Sequence, residues 1–158
     1  MEKSERFIEK EGKDLARRIA RERIAPTAGE RDRNGAFPRE TIEVLGDAGL
    51  LGIVVSEKYG GADGTRAAFA LLAAELGRVC ASTALVAVSH IIAEKAIEAA
   101  ATDLVKDKWL PQMTAGRALG AFAVHEANSG SNAGAITTTA TNKGDEYVVN
   151  GSKFFITS

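Results

Sequence analysis

The chain has little of what would mark it for a membrane, an oxidising compartment or a nucleic acid. Among its 158 residues there is one cysteine, Cys80, so no internal disulfide can form and a reducing compartment is expected. Its bland reading is a small buried hydrophobe in a helix connection. Lys and Arg number 20 against 21 Asp and Glu, and the pI is about 6.2, which leaves no basic surplus for a phosphate backbone. No apolar run approaches the ~20 residues a membrane helix needs. The amino end, M-E-K-S-E-R, lacks the apolar core of a secretory leader. These absences point to a cytoplasmic protein (or a matrix one, if a targeting peptide is removed) that binds neither membrane nor nucleic acid. With two histidines and no His/Cys/Asp cluster at ligand spacing, no metal site is expected.

What is present is the composition of a globular protein: 45% hydrophobic, 26% charged, mean hydropathy −0.08. Two regimes follow one another. Up to about Ala115 the apolar spacing is helical. Phe7, Ile8, Leu15, Ile19 and Ile24 predict a helix over 4–24, ended by Pro26. Another starts at Pro38 and buries Ile42, Leu45 and Ala48 before Gly49. Leu50–Val55 is too short for a helix and feeds the glycine-rich loop 59–64, given a structural role. Thr65 caps a helix to about Leu76, Ser82 caps one to about Ala100, and Thr102 caps one containing Trp109. The helix from Ser82 is apolar nearly all round, which makes it central to a bundle, and His90 within it reads as a satisfied core or pocket-lining side chain.

Beyond Gly120 the pattern alternates, predicting strands over 121–124, 136–141, 146–149 and 152–157. Turns are expected at Lys143-Gly144-Asp145 and at Asn150-Gly151, the latter a strong hairpin signal. The expected fold is α+β: an all-α bundle over 1–118, then the first strands of a middle β-domain over 119–158. Taken alone, Gly130 and Ser131 fit a surface turn, Phe155 a core position and Thr157 an ordinary strand residue. Glu126, one glutamate near a strand end, reads as structural.

Several blocks together resemble one family. They are I-A-P (24–26), D-R-N-G-A-F-P-R-E (32–40), G-L-L-G-I-V-V-S-E-K-Y-G-G-A (49–62), C-A-S-T-A-L (80–85) and K-W-L-P-Q-M (108–113). The most specific are F-A-V-H-E-A-N-S-G-S-N-A-G (122–134) and N-G-S-K-F-F-I-T (150–157). In collinear order they resemble the N-terminal portion of the acyl-CoA dehydrogenases, a flavoprotein family. The resemblance implies a helical domain, a middle β-domain and a C-terminal helical bundle, with FAD between the last two. It implies removal of an acyl-CoA α-proton and transfer of the β-hydrogen as hydride to the flavin, in fatty-acid β-oxidation. Electrons then pass to an electron-transferring flavoprotein.

Carried over by position, Phe122, Val124 and His125 lie along the flavin. Gly130 and Ser131 meet the pyrophosphate and acyl-CoA, Ser131 also contacting substrate. Phe155 and Thr157 sit beside the ring. The helix from Ser82 becomes a wall of the acyl pocket. Small residues suit the loop because amide N–H groups then reach phosphate oxygens unobstructed. The catalytic base is implied to lie in a C-terminal region absent here, so no residue of this chain is assigned catalysis. The pattern departs from the family at His125 (usually Thr or Ser), Ala127 (usually Pro) and Asn132 (usually Asp), and the stretch from His90 to Trp109 is one residue short. Family members are more than twice this length. The chain therefore reads as a fragment or half of a split protein, inactive alone and completed by a C-terminal domain or by self-association into a homo-oligomer. The alternative is a non-catalytic, truncated paralogue acting as an interaction or acyl-CoA-binding module.

Overall fold

The computed structural model describes residues 2–158, with side chains from Ile8 onward; Phe7 therefore lies outside the described side chains. The chain first forms helices α1 (Glu2–Ile19), α2 (Ala25–Asn34), α3 (Arg39–Asp47), α4 (Arg66–Gly77), α5 (Ala81–Ala100) and α6 (Asp103–Thr114). An antiparallel hairpin follows, β1 (Thr139–Asn142) with β2 (Tyr147–Asn150).

The first helix does not stop at Pro26. A π turn over Ala20–Ile24 joins α1 to α2, and Pro26 falls in the first turn of α2. The π turn shifts the hydrogen-bond register, so proline's missing N–H lands where no intrahelical bond is due. Gly35 then closes α2 with φ of +60°, its N–H returning to Arg31 and Asp32 carbonyls.

The core is where the helical spacing puts it. Ala16, Ala20, Ile24, Ile42, Leu45, Leu51, Leu72, Leu76, Ala87 and Ile91 are buried in one cluster, and Ala48 is partly buried against it. Each fully buried Leu or Ile contributes about 1.5–3 kcal/mol. A half-buried ion pair joins the first and fourth helices: Arg17 Nε donates to Glu75 Oε2 at 3.1 Å and Nη2 to Oε1 at 2.8 Å. The hydrogen-bonded Arg17 guanidinium holds the Glu75 carboxyl below its ordinary range.

Of the caps, one holds in full. Thr65 Oγ1 accepts from Ala68 N at 3.1 Å, whereas Thr102 takes the N-cap position of α6 without a side-chain capping bond. The cap of α5 is Cys80, not Ser82: its sulfur accepts from Thr83 N at 3.5 Å and Thr83 Oγ1 at 3.2 Å. Cys80 is thus a half-buried capping thiol, because Ser82 already lies inside the first turn. In the glycine-rich loop, a Cβ on Gly61 would sit 2.0 Å from Val55 O. Gly60 has φ of +81°. Both are backbone requirements of the loop.

The β region departs further from expectation. Residues 121–124 and 152–157 join no ladder, and Phe155 at φ +54° is not strand backbone, since alternation reports a side-chain period and not a partner. Asn150-Gly151 makes no hairpin turn. Asn150 pairs with Thr139 as the last residue of β2, and the β1–β2 turn is at 143–146, with Gly144 at φ +93°. Gly151 is needed for a different reason: a Cβ there would meet Thr138 Oγ1 at 2.2 Å.

Candidate functional site

Two stretches far apart in sequence meet after the helices. Phe154 N donates to His125 O at 3.0 Å, and Lys153 Nζ donates to Val124 O at 3.2 Å. The two blocks singled out in the sequence are therefore adjacent along their backbones.

Glu126 holds this junction together. Its Oε2 accepts from Thr137 N and Thr137 Oγ1, both at 2.7 Å. Its Oε1 accepts from Thr138 N at 3.0 Å, from Thr138 Oγ1 and from Lys153 Nζ at 2.8 Å. The side chain is only 6% exposed. Lys153 first, then the threonine donors, depress the Glu126 carboxyl well below the usual range. A carboxylate with five donors is a fixed structural centre, and its proton affinity is too low for a general base near neutrality.

Ser129 is a second anchor. Glu126 and Ser129 exchange backbone hydrogen bonds at 2.9 and 3.1 Å, closing a tight turn through Ala127 and Asn128. Ser129 Oγ donates to Asn132 O at 2.7 Å, and the residue is 1% exposed. Lys153 and Ser129 were not singled out from sequence. A lysine and a serine near a turn carry no signal until their partners are known. Both lie inside the two specific blocks, which was the available pointer.

The other candidates lie around these anchors. Gly130 and Ser131 follow the tight turn on the surface, and a Cβ on Gly130 would meet nothing within 4 Å. Glycine is thus not required there by the chain's own packing. Phe122 is 47% exposed and Phe155 95% exposed, the latter at φ +54°. Phe155 is accordingly no core residue. Thr157 is half-buried and His125 exposed. Among the described residues, the amides of Phe122 through His125 donate to no group of the chain.

The residues over 9–117 match the family model described as acyl-CoA dehydrogenase, N-terminal domain. The chain belongs to the acyl-CoA dehydrogenase family. It is 40% identical over 146 residues to the acryloyl-CoA reductase (NADH) of Anaerotignum propionicum, covering 91% of this chain and 37% of that protein. The butyryl-CoA dehydrogenase structure from Megasphaera elsdenii superposes with a TM-score of 0.84 at 34% identity, over 94% of this chain and 40% of that one. A structure described as an electron transferring flavoprotein of Acidaminococcus fermentans gives 0.88 at 35% identity, over 94% and 40%. The chain thus spans about two-fifths of the length of the relatives it matches. The acyl-CoA dehydrogenase fold is confirmed: helices first, then strands.

Family membership implies a flavin, and the residues present fit one. Four successive unpaired amides can donate to a ring's polar edge, an exposed phenylalanine can pack on it, and the open face at Gly130 admits a phosphate. No described helix is long and apolar enough to cross a membrane.

Proposed function

We propose that this chain supplies the helical portion (1–118) and part of the flavin wall (119–158) of an FAD-dependent oxidoreductase interconverting acyl-CoA and 2,3-enoyl-CoA thioesters. The observation carrying the proposal is the row of unpaired amides from Phe122 to His125, held beside Lys153 and Phe154 by Glu126. Backbone groups of Phe122, Val124 and His125 bind the ring edge. Gly130 and Ser131 offer amides to the pyrophosphate, Ser131 also to the CoA moiety, and Phe155 and Thr157 flank the ring. FAD, when bound, supplies the hydride acceptor at the acyl β-carbon. The helix α5 is one wall of the acyl pocket.

The chain's own carboxylates explain what is missing. Glu126 is committed to five donors, and Glu94 is fully buried. That neither is placed to remove an α-proton supports a base that lies elsewhere in the working enzyme, with these 158 residues inactive alone. The similarity to a protein named as a reductase and to one named as a dehydrogenase supports a chemistry that runs either way. The likeness to the Acidaminococcus electron-transferring flavoprotein structure supports such a flavoprotein as electron partner. We place the protein in the cytoplasm as a homo-oligomer.

The test uses the whole gene product carrying these residues. Purified protein is expected to be yellow, and butyryl-CoA added anaerobically should bleach the flavin band. Colourless protein that still binds acyl-CoA would replace this reading with the non-catalytic module.

A further inference from the structure

The most unusual group outside the cofactor wall is a carboxyl with nothing to bond. Glu94 on α5 is 0% exposed, and neither of its oxygens has a hydrogen-bond partner. One turn earlier lies His90, also 0% exposed, whose Nε2 is 3.2 Å from Glu94 Oε1. That approach lacks hydrogen-bond geometry. The same Nε2 lies 3.1 Å from the Met113 carbonyl at the end of α6. On the opposite side of the ring, Nδ1 accepts from Gly120 N at 3.0 Å.

These contacts determine where the protons are. An Nδ1 that accepts an amide N–H carries no hydrogen, so the ring's hydrogen is on Nε2, where Met113 O accepts it. A second proton on the ring would set Nδ1–H against Gly120 N–H and break the bond. The alternative site for that proton is Glu94, whose carboxyl is pushed up, chiefly by burial, against the opposing pull of His90. Lys95 and Glu98 on the same helix are the other charged groups acting on it. The buried sides of α6 and of the stretch before Gly120 present Leu110, Met113, Thr114 and Leu119, which add no charge.

The position of Gly120 gives the pair its importance. A Cβ there would fall 2.5 Å from Met113 Cε and 2.9 Å from Ala93 Cβ, so only glycine brings its amide onto the imidazole. Gly120 immediately precedes the unpaired run that starts at Ala121. We propose that the buried His90 is a latch, in which the Nε2–H imidazole ties α5 and α6 to the start of the cofactor-side segment beside the unpartnered Glu94 carboxyl. His90 is a positioning residue: it touches neither flavin nor substrate. The latch's consequence for the cofactor rests on the flavin reading above, whereas its protonation pattern does not.

The experiment is nitrogen NMR on the whole protein with labelled histidine and glycine. At neutral pH, His90 should show an unprotonated Nδ1 and a protonated Nε2, with a through-hydrogen-bond coupling to the Gly120 amide. Glu94→Gln, which mimics the protonated carboxyl, should leave that pattern intact. His90→Gln should raise Gly120 exchange and weaken flavin binding roughly tenfold. An imidazolium at neutral pH, or a His90 pattern altered by Glu94→Gln, would overturn the proposal, as would Gly120 exchange unchanged in His90→Gln. Should that variant not fold, the wild-type spectrum still decides. Failure of the wild type to bind flavin would count against the functional reading and leave the protonation result to stand or fall by itself.

Discussion

The helices and the segment after Gly120 are ordered by different means. In the helical part, Leu51, Leu72, Leu76 and Ile91 are almost wholly buried and the chain packs on itself. In β1 and β2 every residue is exposed. Order in that second region comes from polar ties: five donors on Glu126, the Ser129 turn and Lys153 reaching Val124 O. A region held by a few directional bonds can leave amides and aromatic faces open for a ligand, which a close-packed core cannot. The lesson is that packing builds the frame here and hydrogen bonds build the site.

The contrast is most severely tested at glycines. Gly61→Ala drives a methyl onto Val55 O, and the helical region should lose about 3 kcal/mol in a urea melt. A loss below about 0.5 kcal/mol would mean that loop is not part of the packed frame. Next in size is Glu126→Gln, which removes the charge that five donors share. Its melting curve should keep the helical transition, while flavin-dependent turnover of the whole protein falls about 100-fold through misplacement of Val124 and His125. Equal loss of helical stability would show that Glu126 belongs to the frame.

Gly130→Ala sharpens the comparison in the other direction. Its methyl meets nothing within 4 Å, so stability should stay within about 0.5 kcal/mol. Flavin affinity should nevertheless drop if a phosphate approaches that face. The smallest expected effect is on acid stability. Glu75 is held below its ordinary value by Arg17, so the pair's contribution is complete above the ordinary glutamate range and fades as pH falls through the lowered value. Thermal melts between pH 7 and 3 should therefore steepen below the ordinary range of about 4.3, and Arg17→Met should flatten that part of the curve.

Much of the frame was legible in the sequence because helical burial follows a period that residue types report directly. Ile42 and Leu45 are buried where spacing predicts, and Thr65 caps α4 through its hydroxyl. Pro26 misled because a π turn upstream changed what proline's missing N–H costs. Asn150-Gly151 misled because glycine serves a close approach to Thr138 there and not a turn. At the site, the two specific blocks were legible, and their meeting is seen in Phe154 N bonding His125 O. The residues that hold them were not, since Lys153 and Ser129 acquire meaning only through partners distant in sequence. Glu126 was read as structural, and its five donors give that reading its physical content.

Hydrogen exchange in the whole protein, with and without FAD, compares the two regions in a single measurement. The row of amides from Phe122 to His125 should exchange fast without flavin and slow strongly with it, while the buried amides of α4 and α5 stay unchanged. If FAD binds and those four amides exchange as before, the stretch is not the cofactor wall and the proposed site is wrong.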